Sequence, residues 1–311
     1  MVTAPAQRET KGTPAPAGAA RTVPPLKSGG LGNCEKLLSH RGRGFGYGEA
    51  TPEAVRAALE SGIRYLEFDT RVGADGVIHV RHGTRIRARL ALPHVRAVSE
   101  QGLAMHGVAR LADLLKVAAE IIDKKQTICL DIKDFGFERE HVELVEHFGL
   151  GAQTMFVSWI PQALARLHAI APKYPLILSH INLRFLRFGA EMVDRLVAAR
   201  ELRIFDYVVL GPQAVDRPLQ HQVGFQHAVL ARNIPDHFVR LLSQSGSGIC
   251  VPRFCVCDEL DDWCLRHSLG QWVFTANDAG TYERLRKRRA VQVIFSDDPL
   301  HVAGERIPGK S

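Results

Sequence analysis

Long apolar runs are missing from this 311-residue chain. Their absence excludes a membrane-spanning helix, which needs about 20 consecutive apolar residues. The opening stretch, MVTAPAQRETKGTPAPAGAARTVPPLKSGGLGN, also lacks the apolar segment of a secretory signal. It is rich in Pro, Ala, Gly and Thr with almost no bulky apolar residue, so residues 1–33 are expected to form a disordered tail. A cytoplasmic location is the default expectation. Cysteines occur at 34, 129, 250, 255, 257 and 264, but none forms a CxxC pair. That argues against a zinc site and for free thiols. The net charge is +7, yet no nucleic-acid recognition motif accompanies the basic runs RGRG (41–44), RHGTRIRAR (81–89) and RLRKRR (284–289). The last reads as a solvated helix face, not as a nucleic-acid surface. The first two lie near the candidate site described below, where they would draw in an anionic substrate.

What is present is enough apolar residue, 46% of the chain, to bury a sizeable core. From residue 34 short apolar runs alternate with helical patterns. EKLLSH (35–40) reads as a strand and leads into a Gly-rich loop. TPEAVRAALESG (51–62) is a helix with Thr51 as N-cap, Pro52 in the first turn, an apolar stripe of Val55, Ala58 and Leu59, and Gly62 at its end. IRYLEFDT (63–70) is the next strand, and DGVIHVRH (75–82) an extended excursion after a turn. A helix at 111–123, strands at 127–133 and 155–160, a helix at 161–172, a strand at 176–180, a helix at 191–201 and a strand at 206–211 continue the order. WVFTAN (272–277), a helix at 280–289 and VQVIFSD (291–297) close it. Strands alternating with helices predict an α/β fold with a parallel sheet, and about eight units predict a (β/α)8 TIM barrel. The barrel domain is expected over 34–303, with a C-terminal tail at 304–311 and an insertion in the region 212–270, which holds more chain than one unit needs.

Within the second strand Glu67 and Asp69 point one way while Leu66 and Phe68 point the other. In the third, Cys129, Asp131 and Lys133 face the barrel interior, while Ile128, Leu130 and Ile132 face the helices. Carboxylates on a buried face are costly unless a cation neutralises them. Two arrangements satisfy Glu67, Asp69 and Asp131: a divalent metal such as Mg²⁺ or Ca²⁺, which suits a hard-oxygen site, or an ion-pair network with Arg41 and Lys133. Strand one ends in His40 and Arg41. His40 and His82, beside these carboxylates, are the candidates for an acid–base pair.

HRG (40–42), EAT (49–51), LEFD (66–69), DG…HVRH (75–82), LDIK (130–133), FTAN (274–277) and FSDDP (295–299) occur in the order and spacing of the glycerophosphodiester phosphodiesterase family, which the chain resembles from about residue 38 to 299. The resemblance implies a TIM barrel that hydrolyses glycerophosphodiesters to glycerol phosphate and an alcohol with a divalent cation. It implies His40 and His82 as catalytic histidines, Glu67 and Asp69 as metal ligands, Arg41 and Lys133 as phosphate-binding groups, and Glu49 as the acidic residue of a Glu-Asn-Thr motif. Three positions depart from the family pattern. Ala50 replaces the motif's Asn, Gly83 follows His82 where Asp is usual, and Asp131 stands where a metal-binding Glu is usual. Asp131 has one methylene less of reach, which favours a water-bridged contact or a shifted ion. Loss of an orienting amide at position 50 would cost about tenfold in a metal site.

The expected function is therefore metal-dependent phosphodiester hydrolysis on a small-molecule substrate. A phospholipase-D-like relative acting on lysophospholipids is the alternative enzyme, with Phe185, Leu186 and Phe188 as a candidate apolar rim. A non-catalytic barrel that binds phosphodiesters or a partner is the alternative of another class. Nothing in the sequence speaks to the oligomeric state.

Overall fold

The computed structural model of the protein describes residues 30–31, 34–86, 93–182, 207–210, 228–231, 234, 236–244 and 247–305. Its centre is a closed parallel barrel of eight strands. In chain order these are β1 (Leu37–Ser39), β2 (Tyr65–Val72), β4 (Thr127–Ile132), β5 (Thr154–Ser158), β6 (Leu176–Ser179), β10 (Gly248–Pro252), β11 (Gly270–Phe274) and β12 (Val291–Ser296). β1 closes the barrel by pairing with both β12 and β2. The short β3 (Ile78–Val80) folds back antiparallel on β2. This is the predicted TIM barrel, and it places the strand C-termini, where such barrels carry chemistry, around one rim.

Side-chain alternation sorts the two faces as the sequence pattern requires. Leu66, Phe68, Ile128, Leu130 and Ile132 join the outer core between strands and helices. Leu38, Cys129, Val157, Ile177, Cys250, Trp272, Val293 and Phe295 fill the barrel interior. Burying each large apolar side chain contributes about 1.5–3 kcal/mol, so a one-residue slip of β2 would lose that term and bury the wrong face. The helix Pro52–Glu60 forms where predicted: the Thr51 hydroxyl accepts from the Ala54 N–H at 3.2 Å, and Val55, Ala58 and Leu59 are buried.

Two expectations need correction. The run at 206–211 does form a strand, β8 (Tyr207–Leu210), but outside the barrel: it joins β7 (Ile181–Asn182) and β9 (Ala228–Ala231) in a separate three-stranded sheet. The sixth barrel strand is instead β10, GICVP, paired with β6 and β11. Its glycine and proline weaken the strand signal, yet a Cβ at Gly248 would lie 2.2 Å from the Gly270 carbonyl oxygen. Only glycine permits that close approach of backbones. The extra chain consequently lies between β6 and β10, earlier than 212–270, since β10 and the helix Asp258–Arg266 are barrel elements.

The helix expected at 191–201, the Phe185, Leu186 and Phe188 rim, and most of the two tails lie outside the described residues. Leu31, in the stretch read as tail, is buried and donates its N–H to the Ser61 carbonyl at 3.1 Å. All six cysteines are free. No helix among the described residues is long and apolar enough to cross a membrane.

Candidate active site and metal centre

The chain leaves β1 through a tight turn, His40–Gly42, in which Arg41 takes a left-handed φ of 59°. Such a conformation costs a non-glycine residue about 1 kcal/mol or more and persists only where its surroundings enforce it. Here it aims two donors at the carboxylates. The Arg41 backbone N–H reaches Glu67 Oε2 at 3.0 Å, and its guanidinium Nε lies 2.8 Å from Asp69 Oδ2. Further along, Gly44 has φ 94°, and a Cβ there would meet Pro299 Cδ at 2.3 Å. Glycine is required for the loop to close over the start of the helix Pro299–Val302.

His40 is held from both sides. Its Nδ1 lies 2.8 Å from Asp297 Oδ1, and its Nε2 lies 3.9 Å from Glu67 Oε2. Phe295 packs edge-on against the ring at 5.8 Å. Asp297 also accepts from Arg43 Nη1 at 2.9 Å and Asn277 Nδ2 at 3.2 Å. The His40 hydrogen bond, with those from Asn277 and Arg43, outweighs partial burial and holds the Asp297 carboxyl below the usual carboxylate range.

Strand register sets Asp69 beside Asp131 and Glu67 beside Cys129. Glu67 is 1% exposed and Asp69 2%. Burial raises the Glu67 pKa, and the neighbouring Asp69 and Asp131 charges raise it further. Burial alone would raise Asp69 too, but the charges of Lys133 and Arg41 reverse the effect and keep it ionised. Lys133 Nζ bridges Asp69 Oδ1 at 2.9 Å and Asp131 Oδ2 at 2.5 Å. Burial would lower the Lys133 pKa, yet the carboxylates around it raise it, so the ammonium stays charged.

His82 reaches the same rim through the β2–β3 hairpin. Next to it, the Arg81 N–H donates to the Asp69 carbonyl at 2.8 Å. The His82 carbonyl accepts from Arg71 Nε at 2.9 Å. Burial pushes the His82 imidazole down to about 3, against the pull of Asp69 and with the help of Lys133, Arg41 and Arg71. It is therefore neutral at ordinary pH.

The structure thus brings His40, Arg41, Glu67, Asp69, His82, Asp131 and Lys133 to one end of the barrel. Glu49 lies outside this cluster, 3.8 Å from Arg41 and bound to Arg43 Nε at 2.7 Å. The Ala50 N–H donates to the Arg41 carbonyl at 3.0 Å with φ 54°, and the position carries no amide side chain.

Three buried carboxylates face two cations, and burial with mutual repulsion raises the pKa of Glu67 and Asp131, a shortfall of positive charge that a hard divalent ion would make good. One ligand atom each from His40, Glu67 and Asp69 falls within 4.8 Å of the others. Asp131 Oδ1 is buried without a hydrogen-bond partner among the described residues. The donor set fits a divalent metal, with Asp131 adjoining the compact trio and shared with Lys133.

Sequence reasoning gave no role to Asp297, Asn277, Arg43, Arg71 or Asp134. Arg71 is 1% exposed, and its Nη1 lies 3.3 Å from Asp134 Oδ1. It follows Glu67 and Asp69 at the strand period of two, a signal that was available. Asp297 sits within FSDDP and Asn277 within FTAN, but no local pattern ties them to His40.

Residues 40–100 match the model of the Glycerophosphoryl diester phosphodiesterase family. A comparison with curated proteins gives no match. Among solved structures, the chain resembles a Silicibacter pomeroyi DSS-3 protein assigned as a glycerophosphoryl diester phosphodiesterase (18% identity, 86% of this chain and 91% of that one, TM-score 0.60). It is similar to a glycerophosphodiester phosphodiesterase from Parabacteroides distasonis ATCC 8503 (17% identity, 86% and 95%, TM-score 0.58). It also resembles an Oleispira antarctica phosphodiesterase solved with the product sn-glycerol-3-phosphate (15% identity, 86% and 95%, TM-score 0.56). At these identities the structural likeness is one of fold. The family resemblance read from the sequence holds over the segment that carries His40 through His82.

Proposed function

We propose that the chain is a metal-dependent phosphodiester hydrolase that cleaves glycerophosphodiesters to glycerol 3-phosphate and an alcohol. The observation that carries this reading is the convergence of two histidines, three carboxylates and two cations on one barrel rim, within a segment that matches the phosphodiesterase family. Glu67 and Asp69 would hold the ion, Mg²⁺ or Ca²⁺, with Asp131 completing an oxygen set. When bound, it would supply Lewis-acid polarisation of a phosphoryl oxygen.

The chain's own groups divide the remaining work. Arg41 and Lys133 offset the negative charge that grows on the phosphoryl oxygens. His82, neutral in its buried position, accepts the nucleophile's proton. His40, oriented by Asp297 at its Nδ1 and with Nε2 facing the carboxylates, protonates the leaving oxygen.

One observation favours the non-catalytic alternative: Arg41 and Lys133 already pair with Asp69 and Asp131. The deciding test is release of glycerol 3-phosphate from glycerophosphocholine and glycerophosphoethanolamine, with Mg²⁺, Ca²⁺ or chelator. His40→Ala and Glu67→Ala serve as controls. Turnover that requires metal and falls steeply in both variants supports the hydrolase. A folded protein inactive with every metal and also on lysophospholipids is a binding barrel.

A further inference from the structure

The loops after β10 and β11 border an open cavity of about 440 Å³ on the same rim as the catalytic cluster. Arg253 and Phe254 line it from the first loop, and Phe274, Asn277 and Asp278 from the second. It begins one side chain away from His40. Phe274 packs edge-on against Phe295 at 6.4 Å, and Phe295 packs against the His40 ring. Asn277 Nδ2 donates to the Asp297 carboxylate that holds His40. A general acid must touch the leaving oxygen. If His40 is that acid, the alcohol departs on its side, where this cavity lies.

The cavity lining is chemically uneven. The Asn277 amide is engaged at both atoms, with Asp297 at 2.8 and 3.2 Å. Asp278 Oδ1 caps the helix Ala279–Arg286 by accepting from the Thr281 N–H at 2.8 Å. Phe254 is 42% exposed at the rim and offers only an apolar face. Arg253, by contrast, is exposed at the cavity and makes no side-chain hydrogen bond or ion pair with a described residue, so its guanidinium donors face solvent and are open to an occupant. Asp278 lies close enough for its charge to feel Arg253. The cavity thus offers a cation with unused donors and a fixed anion, the complement of a zwitterion.

We propose that this cavity receives the leaving alcohol, and that Arg253 selects one bearing a carboxylate, of the serine type over the ethanolamine type. The proposal rests on the hydrolase reading and assigns a specificity to the same site. The guanidinium would grip the carboxylate in bidentate fashion while Asp278 faces the ammonium.

Glycerophosphoserine and glycerophosphoethanolamine differ by one carboxylate, which isolates the contact. The test is calorimetric titration of the full chain with each diester in chelator, where binding is read without turnover, alongside Arg253→Ala and Arg253→Lys. The serine diester should bind about fivefold more tightly, as suits a partly exposed charge pair. Arg253→Ala should bring that ratio to about one, and Arg253→Lys should restore part of it. Equal affinities in the native chain, a ratio that survives Arg253→Ala, or no binding of either diester would overturn the proposal. Metal-dependent release of glycerol 3-phosphate without the affinity difference would leave the hydrolase standing and remove only the selectivity. The affinity difference without release under any metal would do the reverse.

Discussion

His40 Nδ1 and Asp297 Oδ1 lie 2.8 Å apart, although 257 residues separate them in the chain. The carboxylate accepts the Nδ1 proton, fixes the ring orientation and leaves Nε2 directed toward Glu67. Asp297→Asn would replace the carboxylate that orients the His40 ring while preserving the side chain's shape. It should lower kcat about 10- to 100-fold with KM within about twofold, the range seen when a group that orients a catalytic histidine or ligand is lost. In a His40→Ala background the same substitution should cost almost nothing further, because residues acting as a unit are not additive. Steady-state kinetics on the single and double variants check this. An equal loss in both backgrounds would make Asp297 merely structural.

Glu67 is buried beside two other carboxylates; the Lys133 and Arg41 charges only partly offset the resulting rise in its pKa, and the Arg41 backbone N–H donates to its Oε2. In a metal-free protein, Glu67→Gln removes a like-charge repulsion and keeps an acceptor for that N–H. Urea unfolding in chelator should therefore show a gain of about 1 kcal/mol. The same variant should lose any rise in Tm that Mg²⁺ or Ca²⁺ confers on the native chain. A destabilised variant in chelator would mean that Arg41 and Lys133 already balance the Glu67 charge, and the case for a cation would weaken.

The carboxylate face was legible because strand geometry is local: Glu67 and Asp69 are two residues apart, and Asp131 occupies the matching position of the next parallel strand. The barrel was legible from the alternation of strands and helices for the same reason. GICVP at 248–252 was not, because what makes it a barrel strand is the close approach of Gly248 to Gly270, a property of the assembled sheet. The brace on His40 was equally hidden. Asp297, Asn277 and Arg43 come from three separate stretches and meet only when β12 closes against β1. Arg71 is different in kind. Its spacing placed it on the acidic face, but its role in holding the His82 carbonyl depends on the β2–β3 hairpin.

Ser268 ends the helix Asp258–Arg266 in a left-handed conformation, φ 56°. The Leu269 N–H donates to the Cys264 carbonyl at 2.9 Å and the Ser268 N–H to the Leu265 carbonyl at 3.2 Å, the pattern of a helix terminus that favours glycine. The side chain is exposed, so little packing would be lost. Ser268→Gly should stabilise the fold by about 0.5–1 kcal/mol and leave turnover unchanged. Denaturant unfolding decides it, and a loss of stability would show that the serine relieves its own strain.

His141 makes stability depend on pH in a predictable direction. It is fully buried, its Nδ1–H donates to the Phe137 carbonyl at 2.7 Å, and its Nε2 accepts from the Thr70 hydroxyl at 2.8 Å. Burial pushes the imidazole down to about 4, only partly offset by the Phe137 hydrogen bond. Burial likewise pushes His180 down to about 4. In the unfolded chain each would titrate near 6.5. Between those values the unfolded state binds more protons than the folded one. Stability is therefore complete above about pH 6.5, falls as pH drops, and loses on the order of 3 kcal/mol per histidine by pH 4. Urea unfolding at several pH values from 7.5 to 5 should show this decline, and His141→Gln should make it shallower even though it lowers stability at pH 7.5. An unchanged slope in the variant would place the acid sensitivity elsewhere.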